Sequence, residues 1–201
     1  MRDRLLRLGR PLAEFGVGYP PPAAVSRYGE IVNPASAIFT TAPVVTANPG
    51  IYGSGAWLGA NLPFAIPFLL PRREVVYQLG WYNGTSAGDN ADVGLYDASW
   101  NRIVSTGSTA ATPSSAPQFV DISDTVLAPG TLYYLVMARD TTTSARQRRW
   151  NVASAPAVGL VGCYASADAS FPLPDPLTNM TLVAATWTTI PEALMALRAL
   201  V

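Results

Sequence analysis

Eight aspartates stand between residues 89 and 175: Asp89, Asp92, Asp97, Asp121, Asp124, Asp140, Asp168 and Asp175. Two carboxylates facing one sugar, roughly 5–10 Å apart, are the machinery of glycoside hydrolysis. That is the one hydrolytic chemistry the composition leaves. The chain has no His, so the commonest general base and metal ligand is missing. All 13 basic residues are Arg, which excludes Lys nucleophiles and Schiff bases. All of the eight except Asp92, Asp97 and Asp121 fall in expected turns, where Asp ordinarily bonds its own backbone. The reading is therefore non-enzymatic, and no residue is given a catalytic role.

Asp89, Asn90 and Asp92, between Gly88 and Gly94, cluster oxygen ligands that suit Ca²⁺. The spacing is not that of an EF-hand, and the stretch is too short to close a cage alone. The plainer reading is a polar turn entering a strand, with no metal and no cofactor. Arg146, Arg148 and Arg149, followed by Trp150, could grip phosphate or a glycan carboxylate by bidentate bonds. The favoured reading is a surface strand or subunit contact, with Asp140 or Asp168 as salt-bridge partners. The formal charge is zero, so nothing draws the chain to nucleic acid.

Five Trp and nine Tyr invite sugar stacking. Trp81 and Trp187 sit in apolar runs and read as core. Trp100 lies in the polar turn from Asp97 to Asn101, where burial has no evident cause. It is either a ligand or interface anchor or is folded back over its hairpin. The lone Cys163 lies in an apolar run with no His to activate it, so it reads as a small buried hydrophobe.

The elements that must position these residues divide the 201-residue chain into three parts. Residues 1–63 read as an extended N-terminal arm, with a short amphipathic helix at 1–15. Pro and Gly forbid long regular elements there, yet aromatic and branched residues are plentiful and only Arg27 and Glu30 carry charge between Gly16 and Leu70. Such a segment is expected to be covered by protein. Leu5, Leu8, Tyr19, Tyr28, Phe39 and Trp57 are its candidate interface residues.

Residues 64–190 read as an antiparallel β-sandwich, jelly-roll-like, because short β-rich stretches alternate with turn signals. Residues 106–117 and 165–177 are Ser/Pro/Ala-rich loops and candidate recognition loops. Residues 191–201 read as a short C-terminal helix, with Pro191 and Glu192 at its start and Leu194, Met195 and Leu197 on its apolar side. Residues 62–70 are apolar but short and broken by Pro63 and Pro67, so no membrane span is expected. The basic start lacks the apolar run of a secretory signal.

One block of the core carries a family likeness: Asp92 to Asp97, Arg102 to Ser108, Gln118 to Ile122 and Leu127 to Leu135, with Ala65 to Phe68 and Leu79 to Gly84 upstream. In this order the block resembles small β-sandwich structural proteins of tailed bacteriophages and prophages, over roughly residues 60–140. The resemblance implies a non-enzymatic virion component of tail-fibre, tail-tip or head-decoration type. It implies assembly in the bacterial cytoplasm and other capsid or tail subunits as partners. For a fibre-like protein a homotrimer is the expected oligomer. A host-surface glycan would be met at the loops near Trp100 and residues 112–115.

Overall fold

Residues 133–139 contain no charged position until Arg139. A run so rich in aromatic and branched side chains suits a strand covered on both faces, and residues 133–139 form one. The computed structural model describes residues 30–32, 37–40, 52–55, 57, 59–70, 72–86, 88–141, 147–151, 163–182, 189–191 and 193–199, with backbone only for the strands at 30–40, 52–55, 147–151 and 189–191. The described residues form strands and no helix.

In chain order the strands are β1 (Glu30–Val32), β2 (Ala37–Thr40), β3 (Tyr52–Gly55), β4 (Phe64–Phe68), β5 (Glu74–Tyr82), β6 (Asn90–Tyr96), β7 (Arg102–Ser105) and β8 (Thr109–Ala110). They continue with β9 (Pro117–Leu127), β10 (Tyr133–Arg139), β11 (Gln147–Asn151), β12 (Tyr164–Ser166), β13 (Met180–Leu182), β14 (Thr189–Pro191) and β15 (Ala193–Ala199). A five-stranded sheet has the order β1-β2-β15-β5-β9. A seven-stranded sheet has the order β13-β12-β4-β10-β6-β7, with β8 also paired to β6. A three-stranded sheet has the order β14-β11-β3. All the described pairings are antiparallel.

The two larger sheets share one core. Val76, Leu79 and Trp81 of β5 and Met195 and Leu197 of β15 meet Phe64, Ile66 and Phe68 of β4, Val93 and Leu95 of β6, and Leu135 and Met137 of β10. The period of two sends the intervening side chains to the opposite face. There Ala65, Tyr96, Tyr134, Val136 and Ala138 form a second cluster with Leu173 and Leu177. Residues 167–179 therefore lie as a strap across the outer face of the seven-stranded sheet, so its central strands are buried on both sides. The all-β, antiparallel sandwich expected from the sequence is what forms.

The C-terminal helix does not. Residues 193–199 are a strand, held between β2 and β5 in the five-stranded sheet. Ala, Leu and Met favour a helix by only tenths of a kcal/mol per residue, and tertiary contacts override that. Here Ala193, Met195 and Leu197 enter the core while Leu194 and Ala196 are also buried. Within the segment read as an arm, β1 and β2 extend the sheet built on β15, and β3 pairs with β11. These strands are short, as the density of Pro and Gly requires. The helix expected at 1–15 lies outside the described residues.

Candidate functional site

Trp100 is the expected site residue that the structure develops furthest. Its turn connects β6 to β7. Asp97 Oδ1 accepts from the Ser99 amide at 2.8 Å and the Asn101 amide at 3.0 Å, and its Oδ2 accepts from Asn101 Nδ2 at 3.1 Å. This Asx arrangement holds the Asp97 carboxyl below its ordinary range, chiefly through the Asn101 side chain. Trp100 itself has φ 67°, the left-handed region that a bulky residue rarely occupies.

Held this way, the indole folds back over the sheet. It stacks on Tyr134 with centroids 3.9 Å apart and planes inclined by 22°. Tyr164 meets it edge-on at 5.3 Å. Leu132, Phe171 and Met180 pack around the same cluster. Burial, together with the neighbouring Tyr164 hydroxyl, pushes the Tyr134 phenol above its ordinary range. Leu182, on the edge strand β13 directly across from Tyr164, remains 56% exposed. The result is an aromatic ledge, half-buried at Trp100 and Tyr164.

The strap fixes one side of this ledge. Leu177 donates its amide to the Trp100 carbonyl at 2.9 Å. Tyr96 donates its hydroxyl to the Pro174 carbonyl at 2.5 Å, and Arg102 Nη1 donates to the Leu173 carbonyl at 2.7 Å. The Leu173 amide bonds Asp92 Oδ2 at 2.9 Å, and the Arg102 amide bonds Asp175 Oδ1 at 2.9 Å. Gly94 permits the close approach: a Cβ there would lie 3.2 Å from Leu173 Cδ1 and 3.0 Å from the Tyr96 ring.

Asp92 is fully buried beneath the strap. Burial raises its pKa, although bonds from Leu173 and Thr106 and the charge of Arg102 act the other way. A raised folded-state pKa means that Asp92 contributes most stability below its unfolded value of 3.8 and that this contribution is lost as pH rises through the folded value. Comparison with Asp92→Asn isolates it. The stability of the wild type relative to that variant should grow as pH falls from neutral towards 3.8, as read from urea unfolding at several pH values. A difference that shrinks on acidification would contradict the assignment.

The other candidates are dispersed. Asp89 bonds Arg139, Asn90 bonds Asp140 through both its amide and Nδ2, and Asp92 turns to the strap. Their bonds to three different partners thus disperse the three oxygen donors read as a cation cluster, and no group of three metal-binding side chains occurs among the described residues. Trp57 is 3% exposed and gives its indole N–H to the Leu62 carbonyl at 3.0 Å, so it belongs to the core and is no surface anchor. Phe39 lies on β2 opposite Ile31 and Met195. Arg148, Arg149 and Trp150 lie on β11, opposite Ser54, Gly53 and Tyr52 of β3. Leu5, Leu8, Tyr19, Tyr28 and Arg146 lie outside the described residues.

The loop at residues 112–115 does not join Trp100. It stands by the start of β6, where Ala111 donates to the Asp89 carbonyl, whereas Trp100 follows the end of β6. Seven residues of strand, roughly 3.3 Å each, separate the two ends of the sandwich. One site cannot use both loops.

Asn83 is a residue that the sequence does not single out. It is fully buried. Its Oδ1 accepts from Trp81 Nε1 at 2.7 Å and Arg139 Nη2 at 3.1 Å, and its Nδ2 donates to Gln118 Oε1 at 3.0 Å. Gln118 in turn binds the Thr112 amide and the Ala110 carbonyl, each at 2.8 Å. The signal for it was an amide beside a core Trp that needs an acceptor.

Cys163 is 1% exposed, and burial pushes its thiol up to about 12. The thiolate is the reactive form. The native protein should therefore leave a chromogenic disulfide reagent unconsumed, and one equivalent should react once the chain is unfolded in guanidinium. Rapid labelling of the native chain would show that Cys163 is accessible.

No family model and no curated protein matches the chain.

Proposed function

We propose that the chain is a non-enzymatic structural protein of a tailed-phage virion, tail-associated and adhesive, displaying a jelly-roll-like sandwich. One observation supports this above the hydrolytic alternative: each of the eight aspartates is bonded to another group of the chain. Asp97, Asp168 and Asp175 fasten turns and the strap, and Asp89, Asp92 and Asp140 tie strands to loops or to one another. Asp121 bonds Gln78 across the β5–β9 pair, and Asp124 pairs with Arg198. Carboxylates in such bonds serve as acceptors for the chain itself. A homotrimer presenting several equivalent surfaces would gain avidity from contacts that are individually weak.

Immunogold electron microscopy of phage particles released by the source strain, with antibody raised against the purified chain, tests the reading. Gold at the tail is expected. Gold on the head would make it a capsid decoration protein instead. Protein recovered only in the particle-free fraction would overturn the virion reading.

A further inference from the structure

Tyr164 lies beside the Trp100–Tyr134 stack and not across from Tyr134. Its ring centroid is 5.3 Å from that of Trp100 and 5.7 Å from that of Tyr134, with Trp100 and Tyr134 3.9 Å apart. Were Tyr164 on the second face of the indole, the two tyrosines would stand at about the sum of the two distances to Trp100. Neither tyrosine therefore covers that second face. Among the described residues no partner takes the Trp100 indole N–H.

Polar groups border the same turn. Asn101 is exposed and bonds Asp97 through its amide nitrogen, which leaves its carbonyl oxygen as an acceptor. Thr178 and Asn179 follow the Leu177 amide that binds the Trp100 carbonyl, and both are exposed, grouped on the Asp168 carboxylate at 2.6 and 2.7 Å. A flat ring face that neither tyrosine covers, an indole N–H without a partner among the described residues, and exposed amide, hydroxyl and carboxylate groups on the same turn and on the strap bonded to it suit one chemistry. A pyranose offers a flat C–H face for stacking and hydroxyls at its edge. A purely apolar protein side chain would leave the polar border unmatched.

We propose that the second face of the Trp100 indole is a pyranose-binding subsite, with Asn101 and the Asp168–Thr178–Asn179 group at its polar edge. The placement of Trp100 fits this use. A left-handed turn position ordinarily takes Gly or Asn, and such strain is tolerated where the surrounding structure holds it. Here the Asp97 bonds and the Tyr134 stack hold a rigid aromatic surface that needs no rearrangement to accept a ligand. The inference rests on the adhesive reading for its biological use, and its test is separate from the labelling of particles.

Fluorine NMR of the full chain carrying 5-fluorotryptophan gives one signal for each of the five Trp, and Trp100→Phe identifies that of Trp100 by its loss. Methyl glycosides of glucose, galactose, N-acetylglucosamine and rhamnose are then titrated, with sorbitol as an open-chain control. A single stack supports millimolar affinity at best. At least one pyranoside should shift the Trp100 signal saturably while the signal of buried Trp81 stays fixed, and sorbitol should not. Saturation transfer from the protein to that sugar should fall several-fold in Trp100→Phe, a change that retains an aromatic ring for the Tyr134 stack. No shift with any pyranoside, or an equal shift with sorbitol, overturns the subsite. Gold at the tail together with silent sugars would sink the subsite and leave the virion reading standing.

Discussion

Arg139→Met is expected to cost about 3–5 kcal/mol of unfolding free energy, a large share of the roughly 5–15 kcal/mol by which a domain is stable. Arg139 is fully buried at the end of β10, and its Nη1 lies 2.6 Å from Oδ1 of Asp89, whose side chain is 2% exposed. Removing the guanidinium leaves a carboxylate in an apolar surrounding with no cation. Asp89 Oδ2 already lacks a partner among the described residues, so no second acceptor bond there softens the loss. Asn83 Oδ1 would keep only its bond from Trp81. Urea unfolding followed by Trp fluorescence measures the cost.

The double variant Arg139→Met/Asp89→Leu should recover most of that cost, because a buried pair replaced whole by apolar groups is often neutral or better. Arg198→Ala is the control. Its partner Asp124 and Arg198 itself are 55% and 53% exposed, and exposed pairs contribute about 0–1 kcal/mol. A loss for Arg139→Met no larger than for Arg198→Ala would show that the Asp89–Arg139 pair is not the closed contact described.

Strand character was legible where one face or both faces were apolar and turns were well marked. Residues 133–139 and 74–82 are examples: aromatic and branched side chains run through both, and both are strands. What two-residue alternation cannot show is which distant residues share a face. Arg139, Asp89 and Asn83 meet from positions 50 and 56 residues apart, and nothing local in any of the three segments marks the meeting. Trp100 stood out because a Trp in a polar turn needs a reason. Its stack on Tyr134 depends on the β6–β10 pairing and on the strap, neither of which spacing reveals. Composition alone groups the loop at 112–115 with Trp100, whereas strand direction along β6 puts them at opposite ends. The misread helix has its own cause. A central strand buried on both faces loses its alternation, and a short apolar run of that kind cannot be told from a buried helix by periodicity.

That strand supplies the second large effect. Deleting residues 193–201 is expected to abolish the cooperative fold, with loss of amide chemical-shift dispersion and of any sigmoidal urea transition. Met195 and Leu197 are fully buried in the core shared with β4, β6 and β10, and truncating such a residue to Ala costs about 2–5 kcal/mol. Two of them together reach the range of the whole stability, before any backbone pairing is counted. Deletion also removes the ladder from Ala193 to Ala199 against β5 and the pairing with β2, and so uncovers a long unpaired edge on β5, which favours aggregation. A docking appendage behaves differently: cut away, it leaves a folded, soluble sandwich with a weakened attachment. Met195→Ala separates the cases at lower cost, since a core position should lose about 2–5 kcal/mol and an appendage position almost none. A truncated chain that still unfolds cooperatively would place β15 at the periphery of the sheet, and the order β2-β15-β5 makes it a strand through which the five-stranded sheet is joined.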